Sequence, residues 1–293
     1  MTTTERSTSL AVLPVFAGGG RGCWVDLSAN ELLDDGAALA AMRAPAAAAA
    51  LGGCRAIHVG YPHLLARLQG DALRNLLETA PALLGGGAPI VNDHIALRTF
   101  ATERLGVDAL DPLFGALGYE LGDHYRFRAK KLRARYYRHP DPAQPKIFIS
   151  ELLLDECSGA LRDTVLPLCE QVPAGAADEP AFLFGGRPWD LPFASYQALR
   201  GESEYAAWLA AHGYRANHFT VSVNDLPGFD SVAAVNAALK RAGYALNDSG
   251  GEIKGSPEVL LEQSSTLADR VPVRFSDGEQ VIPGCFYEFA CRY

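Results

Sequence analysis

The stretch Asn92-Asp93-His94-Ile95-Ala96-Leu97-Arg98-Thr99 decides the fold reading. Strand side chains alternate with period two. Counting by twos from His94 gives Ala96 and Arg98, while Ile95 and Leu97 fall on the reverse face. Two more segments behave alike. Asn217-His218-Phe219-Thr220-Val221-Ser222-Val223 sets His218, Thr220 and Ser222 against Phe219, Val221 and Val223. Phe286-Tyr287-Glu288-Phe289-Ala290-Cys291-Arg292 sets Glu288, Ala290 and Arg292 against Tyr287, Phe289 and Cys291. Each segment therefore predicts a strand with one ligating side chain on a small or polar face and an apolar back. Three such strands imply a curved sheet, polar inside and covered by helices outside.

Two histidines and one carboxylate form the ligand set of a non-haem Fe(II) site, which leaves one side of the metal open. A lone strand histidine is usually just a hydrogen-bonding side chain. His218 recurs in an equivalent segment, and Glu288 stands on a third, so the three together read as metal ligands. His58, His63, His124, His139 and His212 lack that paired context. Glu151 occupies a comparable place in the first half of the chain, but its own face carries Ile149 and Leu153, which favours a buried, paired structural role.

Composition narrows the function classes. The net charge of −8 supplies no basic footprint for nucleic acid. The alanine run Ala46 to Ala50 is too short to span a bilayer. The six cysteines show no CxxC or zinc-type spacing and read as reduced, buried small hydrophobes in a cytoplasmic or matrix-like compartment. The first 22 residues, Thr/Ser-rich with Arg6 and Arg21, read as a frayed terminus or the remnant of an organelle transit peptide.

The chain divides into a helical N-terminal region (1–87) and a core (88–293). Ser28 and Glu31 form a capping-box pattern, and Leu64, Leu65, Leu68, Leu73, Leu76 and Leu77 follow helical spacing. The core contains two similar halves. Gly118-Tyr119 follows His94 by 24 residues, and Gly243-Tyr244 follows His218 by 25. Strand, helix, Gly-Tyr turn and further strands, done twice, predict an α+β fold of paired βαβββ modules. The proline-containing segment 155–212 reads as an insertion.

These motifs also carry a family resemblance. Val91-Asn92-Asp93-His94-Ile95-Ala96-Leu97-Arg98-Thr99-Phe100, Lys146-Ile147-Phe148-Ile149-Ser150-Glu151-Leu152, Gly255-Ser256-Pro257-Glu258, Leu261-Glu262-Gln263-Ser264-Ser265-Thr266 and Ile282-Pro283-Gly284-Cys285-Phe286-Tyr287-Glu288-Phe289-Ala290 closely resemble, in that order, the 2-oxoadipate dioxygenase/decarboxylase (hydroxyglutarate synthase) family. The resemblance covers roughly residues 88–293. It implies a barrel-like mixed sheet similar to the vicinal oxygen chelate enzymes. It also implies Fe(2+) held by His94, His218 and Glu288, and a substrate-binding arginine at Arg98. The implied reaction takes 2-oxoadipate and O2 to 2-hydroxyglutarate and CO2, in lysine catabolism.

Residue chemistry agrees for Arg98, which lies four residues beyond His94 on the same face, about 13 Å at strand rise. A dicarboxylate chelated at one end needs a cation at the other, and a guanidinium grips a carboxylate bidentately. Arg292 has the same offset from Glu288, and the choice between substrate contact and a structural role stays open. Gln263 and Ser265 share a strand face and are candidates for orienting substrate, with polar ladder contacts equally open. Lys131, Arg133 and Arg135 alternate along one face and read as a solvated edge. Two rival functions remain: a glyoxalase-like isomerase or another metal-dependent dioxygenase on a related scaffold, and a non-catalytic small-ligand binding module.

Overall fold

The computed structural model describes residues 91–293 apart from 143, 179–181 and 184, together with three short strands nearer the N-terminus. Those three are β1 (Ala11–Ala17), β2 (Gly20–Asp26) and β3 (Ala56–Val59), with β1 antiparallel and β3 parallel to β2. Strand thus occupies residues expected to be a frayed terminus or transit remnant, and Ala56–Val59 is strand within the stretch expected to be helical. The remaining helical expectation for 1–87 lies outside the described residues. The chain divides into compact units at Met1–Leu65 and Ala66–Tyr293.

Both predicted modules form. The first is β4 (Asn92–Phe100), α1 (Val107–Ala116), β5 (Glu120–Phe127), β6 (Leu132–Arg138) and β7 (Lys146–Leu152). Next come α2 (Gly159–Glu170), α3 (Phe193–Glu202) and α4 (Glu204–His212), which fill the segment read as an insertion. The second module is β8 (His218–Ser222), α5 (Val232–Arg241), β9 (Lys254–Ser256), β10 (Leu261–Ser265) and β13 (Phe286–Arg292). A separate hairpin, β11 (Arg270–Phe275) with β12 (Gly278–Pro283), interrupts it.

One mixed sheet of eight strands runs β5-β6-β7-β4-β8-β13-β10-β9. The order is pseudo-symmetric about the antiparallel β4–β8 seam, with β4 parallel to β7 and β8 parallel to β13. The Gly-Tyr repeat has a local cause. Gly118 (φ +87°) and Gly243 (φ +91°) follow the helix ends in left-handed conformation. The amides of Tyr119 and Tyr244 then bond back to Phe114 O and Leu239 O, both at 3.0 Å. This arrangement satisfies the orphan carbonyls at each helix end and needs glycine at the turning position.

The apolar strand faces bury as expected: Leu97, Ile149, Phe219, Val221 and Phe289 are all buried. Against that side α1 packs on β6 and β7, and α5 packs on β10 and β13. Glu151 lies on the same covered side. Its Oε2 accepts the Val107 amide at 2.8 Å, serving as the N-terminal cap that Gly106 cannot provide, and Oε1 accepts from Arg133 Nε. Pairing register also corrects its supposed symmetry. Lys146 pairs with His94 as Phe286 pairs with His218, so Phe148, not Glu151, occupies the place equivalent to Glu288.

The expected solvated edge is not one. β6 lies between β5 and β7, and its Arg133 and Arg135 bind Asp108 and Asp111 of α1. Lys131 sits just before the strand and reaches Glu202 at 3.2 Å.

Candidate metal centre

A single row of paired residues crosses four strands. His94 on β4 pairs with Thr220 on β8, Thr220 with Glu288 on β13, and Glu288 with Ser265 on β10. His218 stands two residues before Thr220 on the same face. Sheet register therefore brings together side chains up to 194 positions apart, and one ligand atom from each of His94, His218 and Glu288 lies within 4.8 Å of the others. His94 Nε2 is 3.4 Å from Glu288 Oε1, and His218 Nε2 is 3.8 Å from Glu288 Oε2. The two rings meet edge to face, with centroids 5.7 Å apart.

Both imidazoles are aimed from behind by the residue preceding them. His94 Nδ1 lies 2.9 Å from Asp93 Oδ1, and His218 Nδ1 lies 3.0 Å from Asn217 Oδ1. A carboxylate can only accept, and an amide oxygen likewise, so each Nδ1 is the donor and Nε2 is the ring atom turned toward the candidate metal position. The β4 register shifts between Asn92 and His94, at the position of Asp93. His218 also stacks on Phe286 at 4.6 Å.

Glu288, the candidate third ligand, is held as firmly. Thr220 Oγ1 donates to Glu288 Oε1 at 3.2 Å, and Gln263 Nε2 donates to the same oxygen. Thr220 Oγ1 is also 3.1 Å from His94 Nε2, so the hydroxyl touches two of the three candidate ligands. Burial pushes the Glu288 carboxyl up, against the opposing pull of His94, Thr220 and Gln263. Burial likewise pushes His218 well down, helped by His94 and Arg98. Two imidazole Nε2 atoms facing one desolvated carboxylate suit a divalent cation, whose charge offsets what burial costs the carboxylate.

Arg98 faces the same side of the sheet. Its guanidinium carbon lies 4.7 Å from the Tyr205 ring centroid and 5.0 Å from that of Trp208, both on α4. Among the described residues it forms no ion pair. Burial lowers its affinity for the proton, with Tyr205, Cys285 and Glu204 partly opposing.

The other expected contacts sort differently. Arg292 spends both arms of its guanidinium on Asp93, at 2.7 and 2.8 Å. Gln263 touches the Glu288 carboxylate, and Ser265 is buried opposite Glu288 in the ladder. Residues that sequence reasoning passed over include Asp93, Asn217 and Thr220. Their signal was present: an Asx residue precedes the histidine in both modules. Tyr205 and Trp208 gave none, because their helix lies outside the repeat.

Known proteins place this arrangement. The 2-oxoadipate dioxygenase/decarboxylase family model matches residues 73–171 and 188–293. The chloroplastic 2-oxoadipate dioxygenase/decarboxylase of Arabidopsis thaliana is 37% identical over 215 residues, covering 68% of this chain and 58% of that protein. A rice relative, named as chloroplastic/amyloplastic, has 60% of its length covered, so the chain spans about three-fifths of these curated relatives. Among solved structures, a Shewanella frigidimarina protein is 54% identical at TM-score 0.70, covering 75% of this chain and 89% of that one. The rice hydroxyglutarate synthase in complex with 2-oxoadipate is 36% identical at TM-score 0.69, covering 78% and 77%. A glyoxalase-superfamily protein of Ralstonia eutropha, 25% identical at TM-score 0.65 over 79% and 80%, shares the curved mixed sheet of the vicinal oxygen chelate group. No helix among the described residues is long and apolar enough to cross a membrane. By sequence, sheet order and family match, the chain belongs to the 2-oxoadipate dioxygenase/decarboxylase family.

Proposed function

We propose that this protein is an Fe(II)-dependent dioxygenase that decarboxylates a 2-oxo dicarboxylate, converting 2-oxoadipate and O2 to 2-hydroxyglutarate and CO2. The observation that carries this reading is the convergence of His94, His218 and Glu288 on one sheet face that also holds the Arg98 guanidinium, which forms no ion pair among the described residues. An iron held by those three side chains supplies a Lewis acid and redox template for a chelating 2-oxo acid and dioxygen. Asp93 and Asn217 keep the two imidazoles in the ligating tautomer, and Thr220 and Gln263 hold the carboxylate still. Arg98 binds the distal carboxylate of the substrate, which supplies the ion-pair partner that no described residue provides. The substrate carries its own oxo-acid group, so no second oxo acid is consumed.

Oxygen uptake by anaerobically iron-loaded protein on addition of 2-oxoadipate tests the reading. With labelled dioxygen, one oxygen atom enters the hydroxyl of 2-hydroxyglutarate, and CO2 forms in equal amount. Turnover undiminished under argon would assign the scaffold to isomerase chemistry instead. Saturable binding without product would make it a binding module.

A further inference from the structure

A cation enclosed by protein normally has an anion beside it, because desolvating an unpaired charge is costly. Among the described residues Arg98 forms no ion pair, and Glu204 acts on it only from beyond ion-pair distance. Its guanidinium carbon instead lies against two aromatic faces, Tyr205 at 4.7 Å and Trp208 at 5.0 Å to the ring centroids. Both rings are also held in place by the hydrogen bonds that their buried polar atoms make. The Tyr205 hydroxyl donates to Ser150 O at 2.5 Å and accepts the Thr99 amide at 3.2 Å, tying the ring to β7 and to β4 itself. The Trp208 indole N–H donates to Gly284 O at 2.9 Å, just ahead of the strand that carries Glu288. Ser150 is also the ladder partner of Arg98. The rings and the guanidinium are thus held to one frame.

Ring faces attract a guanidinium through the π quadrupole without neutralising its charge or occupying its N–H donors. A carboxylate in the same place would do both, and the arginine would no longer recruit an anion. We propose that Tyr205 and Trp208 are positioning residues that replace a protein counter-ion at Arg98, so that only a ligand bearing a terminal carboxylate completes the site. The segment between the modules then sets substrate class, while the modules supply the metal ligands. This inference rests on the functional reading above, since it takes Arg98 as the receptor for the far end of the substrate.

The test compares 2-oxoadipate with 2-oxohexanoate, which has the same carbon chain and a methyl group in place of the distal carboxylate. Anaerobic calorimetry on the iron-loaded protein gives the two affinities, and steady-state kinetics gives the two kcat/KM values. The wild type prefers the dicarboxylate by about tenfold or more. Trp208→Leu and Tyr205→Leu lower that preference by about three- to tenfold, the range a desolvated cation–π contact supplies. The loss falls on KM rather than kcat, and iron stoichiometry stays at the wild-type value. Should the leucine variants not fold, graded fluorination of the Trp208 indole weakens the ring quadrupole at constant shape, and the preference falls stepwise with each fluorine. Folded variants and fluorinated protein that keep the wild-type preference overturn the role of the rings. A wild type that binds both acids equally overturns the reading of Arg98 itself, whatever the rings do.

Discussion

Arg292, one residue from the C-terminal Tyr293, grips Asp93 with Nε at 2.7 Å and Nη2 at 2.8 Å, while Asp93 Oδ1 holds the imidazole of His94. Lys146 Nζ stands 3.3 Å from the other carboxylate oxygen. Burial works to raise the Asp93 carboxyl, but the bonds from Arg292 and His94 outweigh it and hold the group well below the usual carboxylate range. One ionised side chain thus joins β4, β7 and β13 and orients a candidate ligand. Asp93→Asn removes the charge at nearly constant volume, and metal affinity should fall about 10- to 100-fold. Arg292→Ala should weaken metal binding in the same direction. Competition of Co(II) against a chelator measures both, and wild-type affinity in Asp93→Asn would sink the relay.

Glu288 and Glu151 invite confusion in sequence but should separate cleanly by experiment. His94→Ala, His218→Ala and Glu288→Ala should each lose stoichiometric iron and turnover together. Glu151→Ala should keep the metal and lose stability, because the Val107 amide and Arg133 give up their partner. The expected cost is about 1–3 kcal/mol, read from urea denaturation. Metal loss in Glu151→Ala would transfer the ligand role to it.

Arg98→Ala should retain iron and raise KM for 2-oxoadipate. Truncating one side of a buried charged pair costs roughly 2–5 kcal/mol, so kcat/KM should drop at least about tenfold. Arg98→Lys should restore little, since the ammonium lacks the planar fork. Unaltered kinetics in Arg98→Ala would leave the arginine purely structural.

His212, at the end of α4, is buried with Nε2 2.9 Å from Pro283 O and its ring 4.9 Å from Trp208. Burial pushes its pKa down to about 3, with Arg215 adding to the effect. The unfolded chain binds this proton near pH 6.5 and the folded chain does not. His212 therefore costs stability progressively as the pH falls from about 6.5 toward about 3, by up to ~1.4 kcal/mol per pH unit. Denaturation of wild type and His212→Gln between pH 7 and pH 4 should show a shallower loss in the variant. Parallel pH profiles would remove His212 as the cause.

Period-two alternation was enough to read the strands that carry His94, His218 and Glu288 from sequence, because a strand buried on one face must separate its polar and apolar side chains. The Gly-Tyr spacing was enough to read the doubled module, because both helices end on a glycine that only a left-handed turn requires. His94, His218, Glu288 and Arg98 could be put forward as candidates on those grounds together with the family motifs. The pairing of Arg292 with Asp93, and the aromatic setting of Arg98, could not. They depend on which strands become neighbours and where α4 lands, and neither is fixed by local spacing. Only the assembled sheet puts β13 beside β8, carrying Arg292 within reach of Asp93, 199 residues away in sequence. Only the docked helix sets two aromatic faces on Arg98, because a cation–π contact between distant segments leaves no periodic trace along the chain.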